Sequence, residues 1–151
     1  MSWTIEFFAD DEGRQPARKF LEDLPVGKRM AMIAAIEFVL EPRGLDVCAT
    51  EYGRQLGEGL FEFRLRHDET TVRRKAGQPT QDADRSTEVL LRLFCHAYGP
   101  KVVLLLGGYD KGEDPSGRRQ SREIEQARKR LRSFRLRQQR QSARTKRSES
   151  S

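Results

Sequence analysis

Two arginines lie inside stretches that otherwise have the pattern of β-strands, and they are the first residues that could do chemistry. Residues 60–66 alternate strictly, with Arg64 on the polar side, and Arg92 interrupts the apolar run 89–98. A charge within a central strand costs free energy unless it is paired or faces water. If the two strands pair, Arg64 and Arg92 share one face, where two guanidinium groups on a rigid sheet can grip a phosphate.

The elements that must position these arginines follow an α+β pattern. Two apolar runs flank the turn Gly99–Lys101 and predict a β-hairpin, and the alternating segment predicts a half-buried antiparallel strand. Strands are predicted at residues 3–8, 60–66, 89–98 and 102–111, helices at 15–24, 26–40 and 121–134, and a long exposed loop at 67–88. Ser121 is the expected N-cap of the last helix, and residues 42–59 are expected to be irregular. We therefore predict a small, antiparallel-rich sheet with an N-terminal helical hairpin and a C-terminal helix.

Charge is distributed unevenly along the 151 residues, which suit one domain. The net charge is +6, but residues 118–151 hold 13 Lys and Arg against 3 Asp and Glu, which gives +10. Residues 1–117 then hold 29 − 13 = 16 basic and 23 − 3 = 20 acidic residues, which gives −4. We predict a folded domain over 1–134 and a basic tail over 135–151 that lacks an apolar face and should be disordered.

Several classes of protein are disfavoured by the remaining composition. Cys48 and Cys95 have no metal-ligand spacing and imply no disulfide framework, which favours a reducing cytoplasm. The first residues do not have the pattern of a signal peptide, and no apolar run approaches the ~20 residues of a membrane span. We expect no metal, no cofactor and no membrane association.

Taken together, these segments resemble the RelE/ParE superfamily of bacterial toxins, specifically the phage-derived HigB-like branch. The resemblance spans roughly residues 3–134 and is carried by the segments Gly59–Arg64, Leu91–Phe94, Val103–Lys111 and Arg122–Arg130. It implies a RelE-like fold and a toxin that cuts mRNA in the ribosomal A site as an endoribonuclease. It also implies a cognate helix-turn-helix antitoxin that binds and silences this toxin.

By position in the family pattern, Arg64, Arg92 and Lys111 match the basic residues that carry RNA cleavage, and Tyr109 lies beside them. Cleavage by the 2′-hydroxyl gathers negative charge on the phosphoryl oxygens, which arginine stabilises with fixed donors. Lys111 could protonate the leaving oxygen. The base is left open among three residues, His96, Tyr109 and Asp110. By strand parity Arg66 and His96 share the arginine face, and we predict that they contact RNA.

Other interpretations of the same residues stay open. Arg64 could be an exposed strand charge paired with Glu62 or Glu88, Lys111 a solvated lysine, and Tyr109 a packing aromatic. Two other functions compete: a toxin of the same fold that inhibits DNA gyrase, and a non-catalytic accessory protein that binds nucleic acid through its tail. Guanidinium groups on opposite sides of the sheet, or paired with carboxylates inside the core, would count against the nuclease.

Overall fold

A five-stranded mixed sheet forms the centre of the computed structural model, which describes residues 2–68 and 88–149. The spatial order is β1-β5-β4-β3-β2; β1 runs parallel to β5, and the other neighbours are antiparallel. The strands are β1 (Thr4–Phe7), β2 (Gly53–Gly57), β3 (Leu60–Asp68), β4 (Glu88–Tyr98) and β5 (Val102–Asp110). The predicted α+β class and the β4–β5 hairpin are confirmed. Most of the predicted loop 67–88 lies outside the described residues, and its two ends belong to β3 and β4.

Helices cover one face of this sheet, as the N-terminal helical hairpin predicts. Phe61, Phe63 and Leu65 of β3 are buried on this face together with the apolar sides of the helices. The helical segments are α1 (Pro16–Asp23), α2 (Val26–Ala35), a π-helical turn (Ile36–Leu40), α3 (Glu41–Arg43) and a 3-10 helix (Gly44–Ala49). The alternation seen in the sequence therefore does bury one side of β3 against this layer.

One long helix, α4 (Gly117–Glu149), packs on the opposite face. Ala127 and Leu131 are buried there against Phe94 and Leu106 of the sheet. The N-cap is Ser116 rather than the predicted Ser121, because the Ser116 hydroxyl accepts a hydrogen bond from the backbone N–H of Arg119 at 3.1 Å. The sheet thus lies between two helical layers.

The C-terminal helix is much longer than the sequence predicts. We expected it to end near Phe134 and the following residues to be disordered, but the helix continues to Glu149. The turns up to Phe134 are anchored on the sheet and supply the costly nucleus. Residues 135–149 are rich in arginine and glutamine, which favour helix and extend it without an apolar face of their own.

The strand β2 was also missed, because residues 42–59 have few residues typical of strands. Gly53 is buried in β2, and a side chain there would collide with the backbone of Val47, 2.6 Å from its built Cβ position. The turn to β3 consists of Glu58 and Gly59, both with positive φ. That pair of dihedrals matches the right-handed twist of a tight hairpin.

A β-bulge in β5 decides which side chains reach the α4 side of the sheet. Phe94 pairs with Gly107 and Cys95 with Leu105, so Leu106 is the extra residue. Alternation along β5 is shifted by one position after the bulge. Tyr109 consequently shares a face with Leu104 and Leu106 instead of lying on the opposite one.

Candidate functional site

A row of three polar side chains crosses the sheet beside the first turn of α4. Arg64 of β3 pairs with Arg92 of β4, and Arg92 pairs with Tyr109 of β5. Residues that are direct cross-strand partners project from the same face with their Cβ atoms about 5 Å apart. The predicted pairing of Arg64 and Arg92 on one face is therefore present, and the β5 bulge adds Tyr109 to it.

Further cations lie next to this row and form what we call the basic cluster. Arg54 pairs with Glu62, and Arg66 alternates with Arg64 along β3, so both project from the same face. Arg54 and Arg66 are exposed, whereas Arg64 is half-buried. The basic cluster consists of Arg54, Arg64, Arg66, Arg92 and Lys111.

Arg92 was expected to bind a phosphate directly, but its position in the structure does not allow this. Its side chain is only 1% exposed, and its Nε lies 3.6 Å from a carboxylate oxygen of Glu62, which is also 1% exposed. Nη1 of Arg92 donates to the carbonyl of Leu91 at 3.1 Å. Burial is the main cause of a lowered pKa for Arg92, and Glu62 opposes that shift. Arg92 is therefore a buried cation beneath the accessible members of the cluster. Its pairing with Glu62 inside the core is the arrangement that counts against the nuclease, so direct phosphate binding is left to the accessible arginines.

The buried part of this site contains polar atoms without hydrogen-bond partners. Across residues 2–68 and 88–149, these include both carboxylate oxygens of Glu62, the Nε atoms of Arg64 and Arg92, and the hydroxyl of Tyr109. Buried polar groups are nearly always satisfied in folded proteins, and each exception costs about 1–3 kcal/mol. Their concentration in one place marks this end of the sheet as a candidate site rather than ordinary core.

Tyr109 has a packed ring and an unpartnered hydroxyl. The ring stacks on Phe94 with centroids 6.1 Å apart, and the guanidinium carbon of Arg119 lies 5.5 Å from the Tyr109 ring centroid. Burial, followed by the charge of Glu62, raises the pKa of the phenol. A raised pKa keeps the hydroxyl protonated at neutral pH, so it can donate a hydrogen bond but is poorly suited to accept a proton.

Lys111 lies at the end of β5, where its backbone N–H donates to the carbonyl of Leu90 at 2.9 Å. Burial lowers the pKa of its ammonium, and the positive charges of Arg92 and Arg66 add to that effect. A lowered pKa makes lysine a stronger acid. These surroundings make Lys111 better suited to donate a proton than an ordinary surface lysine.

Two predicted participants lie elsewhere. Asp110 points to the opposite face because of the bulge, and its Oδ2 forms an ion pair of 2.5 Å with Nζ of Lys28.

His96 is on the arginine face but four residues from Arg92, roughly 13 Å along the strand. Its Nδ1 lies 2.8 Å from the carbonyl oxygen of Gly59, and its ring packs against Phe134. Burial lowers the pKa of His96, which is a packed residue under α4 rather than a surface for RNA.

Sequence reasoning treated Glu62 only as a surface partner and did not consider Arg54 or Arg119 for the site. The alternation in β3 did contain a signal for Glu62, since it shares the polar side with Arg64. Arg54 could not be found while β2 was unrecognised, and Arg119 was placed before the predicted start of its helix.

Two kinds of feature are absent from the described ranges. No group of three or more His, Cys, Asp or Glu side chains in residues 2–68 and 88–149 could hold a metal ion. No described helix is long and apolar enough to cross a membrane.

No protein-family model, no curated protein and no solved structure matches this chain. Membership of the RelE/ParE superfamily therefore stays a prediction, and the interpretation of the site rests on its geometry.

Proposed function

We propose that this protein is an endoribonuclease toxin of a type II toxin–antitoxin pair that cuts mRNA on the ribosome. The observation that carries the proposal is the cross-strand row Arg64, Arg92 and Tyr109 with Lys111 beside it. A concentration of cations around a few unsatisfied donors suits a phosphodiester better than a neutral ligand.

In this proposal the accessible and buried members of the cluster have different tasks. Arg64 and Arg66 bind the phosphoryl oxygens of the RNA, because both reach solvent next to the buried Arg92, whereas the exposed Arg54 lies further away on β2. Arg92 lies beneath them, and the charge of Glu62 beside it offsets much of its positive potential. Positive groups that are already held in place stabilise the negative charge of the transition state, and the protein does not have to reorganise during the reaction.

The reaction is an attack of the RNA 2′-hydroxyl on the adjacent phosphorus. The new 2′-O–P bond closes a 2′,3′-cyclic phosphate, the P–O5′ bond breaks, and the 2′-hydroxyl proton passes to solvent water. Lys111 donates a proton to the leaving oxygen, and its lowered pKa supports that role. The Tyr109 hydroxyl has no partner among the described residues, but Tyr109 is only 1% exposed, as is Arg92. It donates a hydrogen bond to the phosphate only after RNA binding moves the side chains above it, and that contact would satisfy an otherwise costly buried donor.

The wider setting is part of the same proposal and follows from the family resemblance. The substrate is mRNA in the ribosomal A site, the protein acts in the cytoplasm, and a cognate helix-turn-helix antitoxin silences it. The negative charge of residues 1–117, −4 by the counts above, is unfavourable for binding free RNA. Dependence on the ribosome would supply the affinity that this part of the chain lacks.

The test is cleavage of an mRNA by purified protein with programmed ribosomes, mapped by primer extension. Arg64→Ala should lower the cleavage rate by about 100-fold or more, as expected for a lost phosphate-binding donor. Arg18→Ala is the matched control, because Arg18 is an exposed arginine on α1 that pairs with Glu22 at 2.9 Å, away from the site.

Intact mRNA in the presence of wild-type protein would reject the proposal. Toxicity that persists in Arg64→Ala together with lost supercoiling by DNA gyrase would favour the gyrase inhibitor of the same fold. Cleavage that needs no ribosome would retain the nuclease but remove the A-site assignment.

A further inference from the structure

The last turns of α4 carry a row of arginines that the basic cluster does not use. Arg137, Arg140, Arg144 and Arg147 follow one another at spacings of three, four and three residues. At 3.6 residues per turn these positions fall within a sector of about 80° and extend about 15 Å along the helix. We call these four residues the arginine stripe.

The stripe differs from the arginines earlier in the helix, which hold α4 onto the sheet. Arg128, Arg130 and Arg135 donate to backbone carbonyls of Leu56, Leu106 and Glu58, at 2.7, 3.0 and 2.7 Å. These three side chains therefore have structural roles. Their charge is already committed to the fold of the protein.

The first member of the stripe contacts the body of the domain. The guanidinium carbon of Arg137 lies 5.1 Å from the ring centroid of Phe8, and its Nε is 3.8 Å from Asp11. Arg140 and Arg144 are exposed, as are all residues from 139 to 148. The end of α4 thus presents a preformed row of cations to solvent.

The composition of this segment decides what kind of partner suits it. Residues 135–149 hold six Lys and Arg and one Glu, a net charge of 6 − 1 = +5. After Leu136 there is no large apolar residue, so this segment lacks the apolar face with which amphipathic helices enter a lipid surface. A polyphosphate backbone needs only positive charge and donors, and both are present.

We propose that the arginine stripe is a second RNA-binding surface, which contacts the phosphate backbone of a structured RNA without reading its sequence. The choice of RNA over DNA rests on the proposed function. The binding surface itself does not, because its charge and exposure are independent of the basic cluster.

The position of the stripe implies that it binds a different RNA segment from the one that is cut. Arg119 lies against Tyr109, and Arg140 is 21 residues further along the same helix. At 1.5 Å per residue these two positions are about 32 Å apart. The stripe therefore contributes affinity at a distance, whereas the basic cluster acts on the reacting phosphate.

The test is binding of the full-length chain to a fluorescein-labelled 24-base-pair RNA duplex, followed by fluorescence anisotropy over a range of KCl concentrations. The variant Arg140→Gln/Arg144→Gln removes two exposed charges and keeps good helix formers. Its affinity in 150 mM KCl should fall about 10- to 30-fold, and the slope of log K against log salt should decrease by about 1.5–2. The matched control is Lys129→Gln/Arg132→Gln, which removes two exposed charges from the same helix outside the stripe.

Each outcome decides the matter. A smaller loss of affinity in the Lys129→Gln/Arg132→Gln control than in the stripe variant supports the proposal. Equal losses of affinity would show that only the total charge matters and would reject it. Unchanged binding in the Arg140→Gln/Arg144→Gln variant with an unchanged circular dichroism spectrum would also reject it. Tighter binding to a DNA duplex of the same sequence than to the RNA duplex would reject the assignment to RNA. Loss of duplex binding in the stripe variant, with no ribosome-dependent cleavage by the wild type, would reject the nuclease and leave the stripe intact.

Discussion

The sheet face under α4 has two ends that are built on opposite principles. At one end Leu60, Phe94 and Leu106 pack against Leu131 of the helix, and His96 places its Nδ1 against the carbonyl of Gly59. At the other end Glu62, Arg92 and Tyr109 are equally buried but retain polar atoms without partners in the described residues. The first end is arranged as a protein core should be for folding. The second costs stability, and such local conflicts are expected where a chain is shaped for function.

The largest effect should come from breaking the buried ion pair at the polar end. Glu62→Leu leaves the Arg92 guanidinium buried with no opposite charge, so the free energy of unfolding should fall by about 3–5 kcal/mol. The double variant Glu62→Leu/Arg92→Leu removes both charges and should regain most of that loss, because apolar pairs of similar volume replace buried ion pairs well. Urea unfolding of the wild type, both single variants and the double variant measures this coupling.

A double variant that is as unstable as the sum of its single variants would show that Arg92 and Glu62 do not depend on each other. The two buried charges at the polar end would then not stabilise each other. The double variant should also be inactive in mRNA cleavage while folded, which separates the cost to function from the cost to stability.

The sequence could predict that Arg64 and Arg92 share a face, because that follows from alternation in two recognisable strands. It could not predict that Arg92 is buried beside Glu62, since the burial depends on how α4 and the neighbouring strands close over the sheet. The strand β2 has too many glycines to be recognised, and without it Arg54 cannot be placed. Residues 135–149 lack an apolar face, so their helix depends on the anchored turns before them.

The bulge at Leu106 is the most instructive miss. Regular alternation from Leu104 would place Asp110 on the α4 face of the sheet and Tyr109 on the opposite face. The bulge exchanges these two positions. The adjacent glycines Gly107 and Gly108 were the available signal, since glycine within a strand often marks a bulge or a close approach. A Cβ on Gly108 would lie 2.6 Å from Phe20 of α1, so this strand position also accommodates the helix.

A smaller effect is expected at the apolar end as the pH falls. Burial lowers the pKa of His96 below its ordinary 6.5, with a contribution from the nearby charge of Arg135. As the pH falls below 6.5, the unfolded chain binds a proton at this residue more readily than the folded chain, so stability is lost until the pH passes the lowered pKa of His96. The loss is at most about 1.4 kcal/mol per pH unit for one proton.

The check is the unfolding free energy of wild type and His96→Gln at pH 7.5 and pH 5.5. Glutamine can still donate to the Gly59 carbonyl but does not titrate. The wild type should therefore lose more stability than the variant over this interval. Equal losses would mean that His96 is not held neutral by the fold, and the apolar end would be less well sealed than the packing indicates.

The smallest expected effect on stability comes from removing one tyrosine hydroxyl at each end of the sheet face, and its sign should differ between the two ends. Tyr109→Phe removes a buried hydroxyl without a partner in the described chain, so stability should stay the same or rise by up to about 1 kcal/mol. Tyr98→Phe is the matched change at the other end, where the hydroxyl donates to the carboxylate of Glu6, and it should lower stability by about 1 kcal/mol. Thermal unfolding measures both.

For activity, the larger loss should come from Tyr109→Phe instead of Tyr98→Phe. A buried donor without a partner costs stability, so we expect it to be retained only if it takes part in the reaction. We expect Tyr109→Phe to lower ribosome-dependent cleavage at least tenfold and Tyr98→Phe to leave it unchanged. A Tyr109→Phe protein that is less stable than the wild type would mean that the hydroxyl has a partner within the fold. A Tyr109→Phe protein that is both as stable and as active as the wild type would reduce Tyr109 to a packing aromatic. In that case the candidate site would consist of the cations alone, and phosphate binding rather than catalysis would be the property that the polar end supports.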